Sequence, residues 1–243
     1  MTLALDPVDL GPGVRAVFTG RDLDGPDEAV GAAGNLSHRR PHRPGRLAAD
    51  RGAAAAAIGV DDDQVVRLRQ VHGSDVVVVD DTTPAGAEVG PADGAVTIVP
   101  GRALAVLVAD CVPVLVAGER AVGVAHAGRL GVVADVVGAV AEVVDDLDGG
   151  TVRAAIGPSI RGCCYEVEDW LRDEVASAHP AAAASTTWGT PSLDLPAAVR
   201  ARLDELGIEV TDEGVCTHHD VGWFSHRRDP AAGRQAGMVV RTA

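Results

Sequence analysis

The chain has 243 residues, 47% of them hydrophobic but only 2% aromatic, so a core of Val, Leu, Ala and Ile is expected, in one domain spanning 1–243. All 21 basic residues are arginine, and 35 acidic residues bring the net charge to −14. That balance argues against nucleic acid or anionic lipid as a partner, and the lack of lysine excludes Schiff-base chemistry and a P-loop.

The first thirteen residues, MTLALDPVDLGPG, lack a basic start followed by an apolar core. No apolar run is long enough to span a bilayer, so no membrane partner is expected. A cytoplasmic location with reduced thiols follows as the expectation. Val14–Thr19 is predicted as a strand, and residues 20–46, rich in Gly, Pro, His and Arg without a period, as a long loop. Arg46–Ile58 is Ala-rich and predicted helical, with Gly59 as its stop. Val65–Leu68 and Val76–Val79 read as strands around a turn at Gln70-Val71-His72-Gly73. Thr82–Pro91 is turn-rich, and Ala95–Val99 is a short strand.

From Ala103 to Gly128 two apolar runs each stop at a chemically capable residue. Ala103–Val108 leads to Asp110-Cys111, and Ala121–Ala125 leads into His126. Two neighbouring strands here would bring a thiol and an imidazole into one pocket, and His72 would add a second imidazole. Two His and one Cys form a donor set suited to zinc with one coordination position open. Spacing alone is unspecific, since a Cys at the end of an apolar strand also serves as a small buried hydrophobe.

Val132–Leu147 is predicted as one helix, and Val152–Ile156 as a strand entering Gly157-Pro158. Cys163-Cys164 are assigned a packing role. Glu168–Ala178 is predicted helical, and Ala181–Ala184 is a low-complexity patch. Asp194 caps a helix over Leu195–Leu206 that Gly207 ends. Val215-Cys216 and Met238–Val240 are late strands, and Cys216-Thr217-His218-His219-Asp220 reads as an exposed loop rather than a second metal site. Arg227-Arg228-Asp229 and Arg234-Gln235 offer guanidinium forks for phosphate or carboxylate, or else a surface ion-pair network. Strands and helices mix without strict alternation, which points to an α/β fold other than a simple doubly wound sheet.

Taken in order, Leu68-Arg69-Gln70-Val71-His72-Gly73, Ala92-Asp93-Gly94, Ala109-Asp110-Cys111-Val112-Pro113, His126-Ala127-Gly128, Ile156-Gly157-Pro158, Cys164-Tyr165-Glu166-Val167, Asp194-Leu195, Cys216-Thr217 and the segment from Phe224-Ser225 to Gly233-Arg234-Gln235-Ala236-Gly237 carry a resemblance over nearly the whole chain. The chain resembles the YfiH family, also described as laccase-domain, multicopper polyphenol oxidase or peptidoglycan editing factor proteins. The resemblance implies a single-domain layered α/β sandwich with mixed sheets, shared with toxin-type deamidases. It implies zinc held by His72, Cys111 and His126, and phosphorolysis of purine nucleosides (adenosine, inosine, guanosine, methylthioadenosine) together with adenosine deamination. A role in keeping peptidoglycan precursors correct is attached to the family. So is copper-dependent phenol oxidation, which this chain's eight histidines, with only His218-His219 adjacent, serve poorly. The third alternative is a non-catalytic partner in envelope synthesis.

Within that implied chemistry the expected catalytic residues are Cys111 and Asp110, the latter as proton shuttle or as an orienting carboxylate. Arg51 and Arg227 are expected to seat phosphate, and Asn35 and Gln70 to orient the nucleoside. The chain departs from the family pattern in three places. Arg129-Leu130-Gly131 stands where Trp-Arg-Gly usually follows His-Ala-Gly, His226 replaces a Tyr, and residues 31–38 keep only the Asn35-Leu36 core of their motif.

Overall fold

In a computed structural model of the chain, residues 3–23, 33–148 and 150–242 are described. Much of the long loop expected over 20–46, residues 24–32, lies outside them. The chain opens with β1 (Leu5–Val8) and β2 (Val14–Thr19), then α1 (Pro44–Ala57), with Pro44 in its first turn and Gly59 at φ 75° beyond its end. There follow β3 (Val65–Leu68), β4 (Val76–Val79), β5 (Glu88–Val89), β6 (Gly94–Thr97), β7 (Ala103–Val108), β8 (Val112–Ala117) and β9 (Val122–Ala127). Next come α2 (Arg129–Val133), α3 (Val136–Asp148), β10 (Arg153–Ile156), α4 (Asp169–Ala178), β11 (Ala183–Ser185) and β12 (Pro191–Leu193). The last elements are α5 (Leu195–Glu205), β13 (Glu209–Asp212) and β14 (Gln235–Arg241).

Two six-stranded mixed sheets result, ordered β1-β2-β14-β7-β3-β5 and β13-β10-β8-β9-β6-β4, besides a small β11-β12 pair. They stack face to face. Leu104, Val106 and Phe18 of the first sheet and Leu115 and Val124 of the second share one core cluster. The alternate residues point outward: Ala103 and Ala105 pack with Ala54, Ala55 and Ile58 from α1 and its end, and Val112, Val114 and Val116 pack with Val136, Val140 and Val144 of α3. The order of layers is therefore helix, sheet, sheet, helices. Strands buried on both faces need apolar residues at every position, which is why β7 and β8 read as unbroken Val/Leu/Ala runs.

Several elements differ from the sequence expectation. The helix expected over Val132–Leu147 breaks between α2 and α3, where Asp135 takes φ 58°, accepts the Gly138 amide at 3.1 Å and pairs with Arg202 of α5. The two runs of the central stretch are not neighbouring strands: β7 lies in the first sheet and β9 in the second, and the unforeseen β8 is the partner of β9. The low-complexity patch Ala181–Ala184 contributes to β11, held by β12. Cys216 forms one isolated bridge with Ser159 instead of a strand.

The topology delivers loops to one end of the molecule. In the first sheet β3, β5 and β7 run parallel, and each exits into a crossing to the second sheet, ahead of β4, β6 and β8 respectively. β14 is antiparallel to β7 and starts at that end, with Gln235 beside Val108. In the second sheet β9, β10 and β13 all finish there.

Candidate metal centre and its cavity

The three crossings carry the site. His72 sits between β3 and β4, Asp93 between β5 and β6, and Cys111 between β7 and β8. His126 joins them from within β9, facing Pro113 of β8, rather than from beyond a strand end. Two of the corners are sharp. His72 has φ 64° and Asp110 has φ 83°, backbone conformations that non-glycine residues hold only when surroundings fix them.

Those fixtures are visible. Asp93 is fully buried and its carboxylate accepts the amides of Val71 (3.1 Å), His72 (3.0 Å) and Gly73 (2.7 Å), which wraps the His72 turn around it. The same carboxylate lies 2.7 Å from His126 Nδ1. His126 thus holds its Nδ1 proton toward Asp93 and presents Nε2 to the site. Burial works against the Asp93 charge, but the His126 contact and the Gly73 and Val71 amides hold it below the usual carboxylate range. On the other corner, Asp110 accepts Thr217 Oγ1 and the Arg227 amide, each at 2.6 Å, so both its oxygens are engaged in tying the 217–227 segment down.

The donor atoms of His72, Cys111 and His126 all lie within 4.8 Å of one another. Cys111 Sγ is 3.8 Å from His72 Nε2, and the two imidazoles meet edge to face with centroids 4.8 Å apart. Burial would raise the Cys111 thiol, but the charge of His126 and the hydrogen bonds of both imidazoles bring it down to about 6. His126 moves the opposite way: burial lowers it, while the Cys111 charge and Asp93 raise it to about 9. The geometry is a thiolate between imidazoles, a nucleophilic and metal-binding environment. Gly128 closes it from behind. A Cβ there would stand 2.7 Å from His72 Cδ2 and 3.2 Å from Cys111 Sγ, so only glycine lets the chain pass.

A cavity of about 370 Å³ opens onto these three residues. Its wall also includes Ser37, His38, Arg39, Arg40, Gln70, Glu88, His226 and Arg234. Arg39 is paired with Glu88. Arg40 and Arg234 have no carboxylate partner among the described residues: Arg40 donates to the carbonyls of Ala232 and Pro230, and Arg234 to those of Ala232 and Gly233. Burial and the nearby Arg40 charge lower the Arg234 guanidinium, a balance that an anion would reverse.

The remaining expected residues are placed differently from their assigned roles. Asn35 is buried, with its oxygen accepting the Ser37 and Arg234 amides and its nitrogen donating to the Ser37 carbonyl, so its amide shapes the loop. Gln70 lines the cavity but clamps both backbone groups of Leu107, at 2.8 and 2.9 Å. Arg51 donates to the Leu36 carbonyl and approaches His38. Arg227 donates to the Glu166 carbonyl and lies over the Tyr165 ring, 5.1 Å from its centre. Neither Arg51 nor Arg227 is in the cavity wall. The sequence alone assigns no role to Asp93, Arg40 or His38, although Asp93 lies in the Ala92-Asp93-Gly94 motif, and it marks Arg234 only as a guanidinium fork.

A second group lies in segments expected to serve as packing and as an exposed loop: Cys163, Cys164, Cys216 and His219 also bring their donor atoms within 4.8 Å of one another.

Comparisons with known proteins agree with this architecture. Residues 15–242 match the family model described as multi-copper polyphenol oxidoreductase laccase. A protein of Streptomyces coelicolor named purine nucleoside phosphorylase is 47% identical over 202 residues, covering 81% of this chain and 83% of that one. The crystal structure of the Bacillus licheniformis protein YfiH is similar, with a TM-score of 0.79 at 26% identity over 93% of this chain and 92% of that one. A Neisseria meningitidis structure gives 0.83 at 26% identity, over 98% and 99% of the two chains.

Proposed function

The chain belongs to the multi-copper polyphenol oxidoreductase laccase family, the YfiH family, and from that premise we propose that it is a zinc-dependent purine nucleoside phosphorylase. One observation carries the reading: a single cavity joins the His72–Cys111–His126 donors to two arginines that have no carboxylate partner among the described residues. Its volume falls at the small end of the range for small-molecule sites, which suits a nucleoside.

The donor set fits zinc. Two imidazole nitrogens and a thiolate leave one position open, and the Asp93 contact presents His126 in the right tautomer. A coupled copper cluster requires more histidines than the two gathered here. When bound, zinc supplies a Lewis acid and lowers the pKa of water at neutral pH.

The chain's own groups divide the remaining work. In phosphorolysis the C1′–N9 bond breaks, a phosphate oxygen bonds to C1′, and the purine leaves with a proton. Arg234 and Arg40 seat the phosphate dianion, replacing the earlier expectation of Arg51 and Arg227. His38 and His226, the cavity's other imidazoles, are the groups able to protonate the departing base. Asp110 is a positioning residue, because both its oxygens already hold Thr217 and Arg227. Adenosine deamination would use the same metal donors, with a water oxygen bonding to C6 of the purine and the amino group leaving as ammonia.

Incubating the protein with adenosine or inosine and phosphate, then separating the products, tests the reading. Free base and ribose 1-phosphate should form in equal amounts. Arg234→Ala should raise the phosphate KM roughly 10- to 100-fold, the worth of a hydrogen bond to a charged group, at unchanged metal content. Base release without phosphate consumption, or an unchanged phosphate KM, would overturn it.

A further inference from the structure

The parallel pair β10 and β13 ends beside the main site, and each strand delivers a loop bearing sulfur. After β10 come Cys163 and Cys164, in a turn closed by the Cys164 and Tyr165 amides on the Arg161 carbonyl, both at 2.9 Å. After β13 comes Cys216-Thr217-His218-His219, closed by the His219 amide on the Cys216 carbonyl at 3.1 Å. A Cys-x-x-His turn places its two donors on one side, three residues apart.

We propose that Cys163, Cys164, Cys216 and His219 form a second metal site, a structural one for a zinc-type divalent cation, separate from the His72–Cys111–His126 centre. The four donor atoms lie within 4.8 Å of one another. Tetrahedral zinc, with Zn–S about 2.3 Å and Zn–N about 2.0 Å, requires S···S edges of roughly 3.8 Å and S···N edges of roughly 3.5 Å. The observed Cys163–Cys164 sulfur separation is 3.5 Å, and His219 Nε2 lies 3.1 Å from Cys164 Sγ while its Nδ1 lies 4.0 Å from Cys163 Sγ. One His219 nitrogen lies within 4.8 Å of all three sulfurs, so the four donors need only draw in to reach those edges. Three cysteines and one histidine fill all four positions, which is the signature of a structural site.

The surroundings fit that role. Both loops are already held together by the Arg161 pair with Asp212 and by the bridge between Ser159 and Cys216. Three thiolates around a divalent cation carry a net negative charge. The Arg228 guanidinium, donating to the Thr217 and His218 carbonyls, stands over the same turn. The loops so stapled carry Tyr165 and Glu166 on one side and Thr217 on the other, and these hold Arg227 and Asp110 beside the main centre. The second metal would fix the frame around the first without touching the cavity.

The test is metal stoichiometry of the full chain, stripped with chelator under reducing conditions and titrated with Zn2+ or Co2+ alone. The wild type should bind two equivalents. His72→Ala should bind one, with the cobalt–thiolate absorbance kept at about three-quarters, because three of the four thiolates belong to the second site. Cys216→Ser and His219→Ala should also bind one, and His219→Cys should restore two. If the loop variants fail to fold, His72→Ala still decides, since it leaves both loops intact. A single equivalent in the wild type, no binding in His72→Ala, or two equivalents retained in Cys216→Ser would overturn the proposal. So would a Cys163–Cys164 or Cys164–Cys216 disulfide that persists in the metal-loaded protein.

Discussion

Asp93 shows how one carboxylate can organise a centre it never enters. It collects three successive amides from the His72 turn and one imidazole from β9, so it sets both the position of one histidine and the tautomer of the other. Asp93→Asn keeps the size but loses the charge and sets an NH2 group against backbone amides, so metal affinity is expected to fall about 10- to 100-fold in competition titration with a chelator, and stability by about 1–3 kcal/mol. The Cys111–His126 pair gives a pH signature. Without metal, Cys111 stays a thiolate down to about 6 and His126 keeps its extra proton up to about 9. Between those values a divalent cation must displace the proton on His126 Nε2, so apparent affinity rises with pH, roughly tenfold per unit, and levels off above about 9. Calorimetry near pH 8 on the Cys216→Ser variant, which keeps only this centre, in two buffers of different ionisation enthalpy should show about one proton released; none released would mean that His126 is neutral beforehand. In the sequence Cys111 and His126 stand out beside apolar runs, but their spacing alone is unspecific, and it is the family resemblance that joins them with His72 as a donor set. Asp93 does not stand out, because no local pattern shows that an aspartate will accept amides from 20 residues upstream.

At the level of elements, strand existence was easier to read than strand partnership. Runs such as Ala103–Val108 declare themselves by composition, but a strand buried on both faces has no alternation to say which sheet it joins. The unforeseen β8 carries Pro113 at its second position, opposite His126 of β9. The turn between β8 and β9 depends on a residue from elsewhere, Asp148 at the end of α3. Its carboxylate accepts the amides of Glu119 (2.8 Å), Arg120 and Ala121 (3.0 Å). Burial opposes that charge, and the three amides hold it below the usual carboxylate value. This stabilisation is present above the ordinary aspartate value and is lost as pH falls through the depressed one. Asp148→Ala should cost about 1–3 kcal/mol in urea unfolding at neutral pH, and the difference from wild type should shrink in strong acid.

For the whole molecule, the shortage of aromatic residues concentrates demand on Phe18. It is fully buried in the core between the two sheets, with Leu104, Val106, Leu115 and Val124 in the same cluster. Phe18→Ala is expected to cost about 3–5 kcal/mol in denaturant unfolding, more than any Val→Ala change in the same layer. A cost below about 1 kcal/mol would mean that the sheets close over the gap. The mixture of runs and helices points to an α/β fold other than a simple doubly wound sheet; the layering was implied only by the family resemblance, because stacking is set by pairings between distant segments. The most distant of these is β14, seated between β2 and β7. Gln235 lies 127 residues after Val108, its partner. On a ribosome adding about 5–20 residues per second, β7 waits about 6–25 s for that neighbour. Throughout that interval β2 and β7 present bare hydrogen-bonding edges, so the nascent chain has its greatest need of a chaperone just before the first sheet can be completed.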